Sequence, residues 1–265
     1  MLRTALLLAL ALGSGAQAED APTRVVSMNL CTDQLAIMLA EPGQLIAVSR
    51  IARDPVSSAM WAEAEAWPEH SGGAEEVHLL APDLVLAGAY DPAATMEMLR
   101  RLDHHVEVFG LDESFEDIRT SVRRMGSLLG TSGRAEVLIA EMDAVLDASP
   151  APEPRPRAAL FYSNGYTSGA GTLANEILEA AGYSNVAVEH GIQGMARLPL
   201  ETLVMDAPDL LVTGQDYAAP ALAQGILGHP ATAAVGAGQV RVSDNLWACG
   251  TPLVARAVEG LRAAR

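Results

Sequence analysis

The 265-residue sequence predicts an α/β protein of two Rossmann-like lobes with parallel sheets, joined by a single long α-helix. Three observations carry that prediction. Short apolar runs alternate with helical patterns through both halves of the chain. The longest helical pattern, from Ser114 to Leu146, falls between the halves. One phrase is also written twice, as EEVHLLAPDLVLAG from Glu75 and ETLVMDAPDLLVTG from Glu201. Each copy sets a glutamate ahead of Pro-Asp-Leu, an apolar run and a glycine.

The elements follow in order. MLRTALLLALALGSGAQAED opens with Arg3, an apolar stretch from Ala5 to Leu12, and small residues at Ala16 and Ala18. That pattern reads as a signal peptide over 1–18, cleaved after Ala18. The apolar run is too short for a membrane span, which needs about 20 residues. The N-terminal lobe is expected over 22–112. RVVS from Arg24 is a short buried strand, and TDQLAIMLAE is a helix with Thr32 as its N-cap and Pro42-Gly43 as its stop. QLIAVS is a strand, VHLLA ends a helix, DLVLAG is a strand, AATMEMLRRLD a helix and HVEVFGL a strand.

The bridging helix is expected over 113–148. Its apolar positions are Ile118, Val122, Met125, Leu128 and Leu129, then Val137, Leu138, Met142 and Val145, with Gly130 and Gly133 as points of weakness. SPAPEPRPR, 149–157, is an extended connector. The C-terminal lobe, 158–265, restarts the alternation with strand AALFYS, helices TLANEILEAAG and LETLVMDA, strand DLLVTG, helix PALAQGIL, strand VRVS and helix PLVARAVEGLRAA. Each copy of the repeated phrase ends a helix at a Pro-Asp turn and enters a core strand.

Half of the residues are hydrophobic, enough for a sizeable core, yet aromatics are scarce: three Trp, five Tyr and three Phe. The formal charge is −16, or −17 once Arg3 leaves with the signal peptide, and there is no lysine. Such an acidic chain is not expected to bind nucleic acid or anionic membranes. Neither a G-x-S-x-G elbow nor an H-E-x-x-H helix is present. TSGAGT lacks a P-loop lysine, and DHH at Asp103–His105 stands without companion motifs. The six histidines are scattered, so neither a metal site nor a cofactor of the protein's own is expected.

An ordered set of segments resembles a known family: RVVSMNLCTDQLAIML, EEVHLLAPDLVLAG, YSNGYTSGAGTLANEILEAAGYSNV, LPLETLVMDAPDLLVTG and VRVSDNLWACGTP. Together they look like the periplasmic substrate-binding proteins of ABC importers for iron–siderophore complexes, haem and cobalamin. The TSG segment is most similar to that of the cobalamin-binding member. The resemblance implies two lobes on one long helix, a ligand cleft between them and no enzymatic activity. It implies a soluble periplasmic monomer whose partners are a small metal chelate and the ABC permease at the inner membrane. It also implies that Glu75 and Glu201, one on each lobe, meet permease arginines through charge-assisted pairs. Glu76 is the neighbouring candidate. Any iron or cobalt belongs to the cargo. A ferric siderophore is the first expectation, cobalamin or haem the alternative, and an exported enzyme on the same scaffold the rival class.

In open α/β sheets ligands sit beyond the carboxyl ends of the strands. That rule nominates Asn29, Cys31, Arg50 and Tyr90 in the first lobe, with Arg53 nearby. In the second it nominates Asn164, Tyr166, Asp216, Tyr217, Asn245, Trp247 and Cys249. Tyr and Trp suit a large planar ligand, and Arg50 suits a carboxylate or an anionic ferric chelate. Export makes a Cys31–Cys249 disulfide the default, provided the Cα atoms come within about 7 Å. Separate thiols and direct ligand contact are the other options.

Overall fold

The computed structural model describes residues 21–148, 151–214, 221–235 and 238–265. The expected signal peptide, and Asp216 with Tyr217, lie outside the described residues. The first lobe contains β1 (Val25–Ser27), α1 (Leu30–Leu39), β2 (Leu45–Ser49), α2 (Trp61–Ala64), β3 (Glu69–His70) and α3 (Ala74–Leu79). It continues with β4 (Leu84–Gly88), α4 (Ala93–Arg101) and β5 (Val106–Phe109). Its sheet is parallel throughout, in the order β3-β2-β1-β4-β5. Val25, Val26, Val85 and Leu86 are fully buried, as strands covered on both faces require.

The bridge, α5 (Phe115–Leu129) and α6 (Ser132–Leu146), departs from the single long helix predicted over 113–148. It is a helical hairpin. Gly130 takes a left-handed φ of 75°, the Thr131 amide bonds Gly126 O at 2.7 Å, and the Gly130 amide bonds Ser127 O at 3.3 Å. That is a Schellman stop, which glycine supplies with little strain. The fold-back needs close approach too: a Cβ on Gly126 would lie 2.6 Å from Ala135 Cβ. Arg119 then pairs with Asp143 at 2.7 Å and Arg123 with Glu136 at 2.8 Å, antiparallel across the hairpin. α5 packs on α1.

The second lobe contains β6 (Arg157–Leu160), β7 (Tyr166–Ser168), α7 (Leu173–Ala180), β8 (Ser184–Asn185), α8 (Val186–Glu189), β9 (Met195–Arg197) and α9 (Leu200–Asp206). It ends with β10 (Leu210–Thr213), α10 (Pro230–Ala233), β11 (Gly238–Arg241) and α11 (Val254–Arg262). Its main sheet is again parallel, in the order β11-β10-β6-β8, with β7 and β9 as an antiparallel pair. α11 packs on α6, so each arm of the hairpin serves one lobe. One buried cluster runs through all three parts, from Leu35 through Ile118, Met125, Ile139 and Met142 to Leu178 and Val258.

The repeated phrase is a repeated structure. Val77 and Leu203 are both fully buried. Ala81 and Ala207 both take positive φ, 47° and 43°, at the helix end. Asp83 accepts the Arg24 amide at 2.9 Å, and Asp209 accepts the Arg157 amide at 2.8 Å. The same two arginines donate to carbonyls at the helix ends, Arg24 to Ala81 O at 3.0 Å and Arg157 to Asp206 O at 2.6 Å. Those carbonyls lack helical partners, so the arginines satisfy them and offset the strain of a left-handed alanine.

Two further expectations differ. Asn29, not Thr32, caps α1, accepting the Cys31 amide at 3.0 Å. PALAQGIL forms only a 3-10 turn over Leu222–Gln224 among its described residues, and Gly225 stands at its end. No helix among the described residues is long and apolar enough to cross a membrane.

Candidate ligand-binding cleft between the lobes

A cavity of about 520 Å³ opens at the carboxyl ends of the second-lobe strands. Tyr162, Tyr166, Met195, Leu227 and Trp247 give it an apolar, largely aromatic wall, and among the described residues no charged side chain lines it. The Arg197 guanidinium lies over the Tyr166 ring, 5.4 Å from its centroid. Asn185 supports the lining residue Ser168. Its side-chain amide donates to Ser168 O at 2.9 Å and to Asn175 Oδ1 at 2.8 Å, and its Oδ1 accepts the Ala187 amide at 2.9 Å. A fully used buried amide fixes β7 against α7.

The first lobe answers with a cavity of about 410 Å³ at the ends of β1, β2 and β3, lined by Met28, Ser49, Arg50, Ile51, Asp54, His70, Ser71 and Gly72. His70 is buried and spends both ring nitrogens: Nε2 lies 2.8 Å from Ser27 O, and Nδ1 accepts the Gly72 amide at 3.1 Å. That partnering fits the neutral ring. Arg50 lies 3.8 Å from Glu69, and Arg53 lies 3.7 Å from the same carboxylate. The Ser57 hydroxyl and the Val56 amide hold the Asp54 carboxyl below its usual range. Positive and negative charge are therefore matched along this wall.

Beneath it Asp33 is fully buried. Burial without a cationic partner pushes its pKa up to about 7, against the opposing pull of its hydrogen bonds from Ser49 and Ser27.

Cys31 and Cys249 form a disulfide between the lobes, with Cα atoms 5.1 Å apart. Asn245 Nδ2 reaches across to Pro55 O at 3.2 Å and Ser58 O at 3.4 Å. The Phe115 amide donates to Glu176 Oε2 at 2.6 Å. Gly250 lies so close to Asp112 that a Cβ there would sit 2.2 Å from the Asp112 Cβ. These contacts fasten the lobes beside the cavities, since Cys249 directly follows the lining residues Trp247 and Ala248.

The residues nominated from sequence separate into groups. Tyr166 and Trp247 line the apolar cavity, and Arg50 lines the polar one. Cys31 and Cys249 are spent in the disulfide. Asn29 uses its oxygen as a helix cap, and Asn245 uses its amide on the opposite lobe. Tyr90 is 79% exposed and lines neither cavity, and Asn164 stands exposed in a left-handed turn with φ 58°. Sequence reasoning passed over Tyr162, Met195, Leu227, Ser49, Asp54, His70 and Ser71. Two of these, Ser49 and Tyr162, sit at strand ends and were open to the rule already used. Met195 and His70 lie on strands of three and two residues, too short to announce themselves.

On the outer surface Glu75 and Glu201 are exposed and have no hydrogen bond or ion pair among the described residues. Glu76 instead accepts the Ser71 hydroxyl at 2.5 Å and the Ser71 amide at 2.8 Å, bonds that lower its pKa. One turn beyond each free glutamate stands an exposed apolar side chain, Leu79 at 76% and Met205 at 86%.

Residues 25–245 match the periplasmic binding protein family. A cobalamin-binding protein of Halobacterium salinarum is 30% identical over 203 residues, covering 74% of this chain. The chain spans only about half the length of that relative, 55%. Among solved structures, the periplasmic heme-binding protein HutB of Vibrio cholerae has a TM-score of 0.76 at 18% identity, covering 91% of this chain and 98% of that one. The periplasmic vitamin B12-binding protein BtuF of Vibrio cholerae has a TM-score of 0.65 at 17% identity, covering 92% and 96%.

Proposed function

The chain belongs to the periplasmic-binding-protein family of ABC importers, and from that premise we propose that it captures a corrinoid such as cobalamin and hands it to a permease. It performs no chemistry on the cargo. It is exported by the leader over 1–18 and works outside the inner membrane. The observation that carries the reading is the unlike character of the two walls. Among the described residues one wall is aromatic and without charged side chains, and the other offers donors and acceptors with matched charge. A flat macrocycle rimmed with neutral amides satisfies both walls.

A polyanionic ferric chelate would ask for surplus cations, and here Glu69 and Asp54 together offset Arg50 and Arg53. A haem iron would ask for an axial side chain. His70 has no nitrogen to spare, so among the described lining residues an axial ligand would have to come from Tyr166, Met195 or Met28. The curated relative's cobalamin binding points the same way. On these grounds we rank a corrinoid ahead of the ferric siderophore, which the sequence alone put first.

Glu75 and Glu201 dock the protein on the permease, each beside an apolar contact at Leu79 or Met205. Glu76, held by Ser71, takes no part.

Competition decides the cargo. The purified mature protein is offered an equimolar mixture of cyanocobalamin, haemin and a ferric hydroxamate, desalted, and its retained ligand identified by mass spectrometry. Retention of the corrinoid is expected. Retention of haemin or the ferric chelate alone would overturn the assignment while leaving the importer role standing.

A further inference from the structure

Asp33 has no role in the docking or the aromatic wall, yet it is fully buried one side chain away from the first-lobe cavity. Both of its oxygens engage Ser49. Oδ1 takes the Ser49 amide at 3.2 Å, and Oδ2 bonds the Ser49 hydroxyl. Ser49 in turn lines the cavity. The other groups facing Asp33 are the Ser27 hydroxyl on β1 and a second carboxyl, Asp91, after β4. The Ser27 hydroxyl is shared with Thr32 Oγ1 at 2.8 Å. From β3, His70 hydrogen-bonds Ser27 O, and Arg50 and Asp54 line the same cavity as Ser49. No arginine or histidine pairs with Asp33 among the described residues. A carboxylate so placed is penalised by desolvation and repelled by Asp91, so it takes up a proton readily.

Resting on the corrinoid reading above, we propose that Asp33 and Ser49 form a proton-set selector for the polar rim of the ligand. Ionised Asp33 accepts both the amide and the hydroxyl proton of Ser49. Ser49 Oγ then shows only lone pairs to the cavity. Protonated Asp33 still accepts the amide through Oδ1, but donates its own O–H from Oδ2 to Ser49 Oγ. The Ser49 hydrogen is released towards the cavity and becomes a donor. The proton comes from solvent, and no covalent bond to the ligand forms. Acid therefore favours a rim group that only accepts, such as a carboxylate. A rim amide can present either face and is served in both states. Asp33 acts through Ser49 and is a positioning residue.

Calorimetric titration tests this with cyanocobalamin and with its rim monocarboxylic acid isomers, at about pH 6 and about pH 8, either side of the neutral range where burial places this carboxyl. The Kd of one isomer is expected to rise roughly tenfold between them, the worth of one hydrogen bond to a charged group. Cyanocobalamin should change less than about twofold on the same scale. Asp33→Asn, whose amide donates to Ser49 Oγ as the protonated acid does, should keep the acid-form affinity at both pH values. Ser49→Ala should also lose the dependence. A dependence that survives in Asp33→Asn would assign it to another group and overturn the selector, as would its absence from the native protein. Infrared spectra of the ligand-free protein give a reading independent of cargo. A protonated-carboxyl band present at the lower pH, lost at the higher and missing from Asp33→Asn supports the proposal even if no corrinoid binds. Its absence at the lower pH overturns it, whatever the fate of the corrinoid assignment.

Discussion

Removing the disulfide should cost much of the stability without unfolding the protein. The perturbation is the pair Cys31→Ser and Cys249→Ser. The bond closes a loop across a sequence separation of 218 residues. In the chain-entropy account that loop removes about 5 kcal/mol of freedom from the unfolded state. For a chain of this size the midpoint should fall by roughly 10–20 °C. The seam has other fasteners: Asn245 on Pro55 and Ser58, Phe115 on Glu176, Gly250 on Asp112, and a shared core. A cooperative native state should therefore persist at room temperature. The assay is thermal unfolding followed by far-ultraviolet circular dichroism, for native, reduced and double-variant protein. Reduced and variant forms should melt together, well below the native form. Coincident midpoints for all three, or two titratable thiols in unreduced folded protein, would refute the reasoning.

Three more outcomes can be checked. Trp247→Ala should weaken corrinoid binding by about 2 kcal/mol or more, roughly thirtyfold, as fits a central aromatic anchor, and should also lower the melting temperature, because Trp247 packs on the core as well. Asp33 has a folded-state pKa near 7, above its unfolded value, so the stability it contributes is complete below about pH 4 and lost as pH rises through 7. Asp33→Asn should flatten that slope and leave the variant more stable than the native protein at about pH 8, by up to about 4 kcal/mol, in denaturant titrations at each pH. Glu75→Gln with Glu201→Gln should leave the solution affinity for cargo unchanged but weaken stimulation of the reconstituted transporter's ATPase, most clearly at low salt.

Much of the fold was legible because periodicity reports burial. The Pro-Asp-Leu phrases marked β4 and β10 correctly, and the alternation around them forced parallel sheets. The bridge was misjudged at one backbone torsion. Ile118 to Leu129 and Ala135 to Met142 keep helical spacing on both sides of Gly130, so a spacing argument joins them, whereas the chain reverses at its left-handed φ. The site was legible only in part, for a similar reason. The strand-end rule named Tyr166, Trp247 and Arg50, which line the two cavities, but could not see that Asn29 spends its side-chain oxygen on a helix cap and Asn245 its side-chain amide on the opposite lobe. Nor does spacing reveal that Ser71 holds the Glu76 carboxylate and not that of Glu75. Asp33 looked like any polar residue of a helix start, and only its burial against Ser49 distinguishes it.

Calorimetric titration of the mature native protein with cyanocobalamin, at neutral pH and physiological salt, tests the central claim most directly. Saturable binding of one corrinoid per chain, with quenched tryptophan emission, is the predicted result. Absence of binding, in protein whose melting curve and disulfide are intact, would contradict the claim that these unlike walls hold a neutral macrocycle between them.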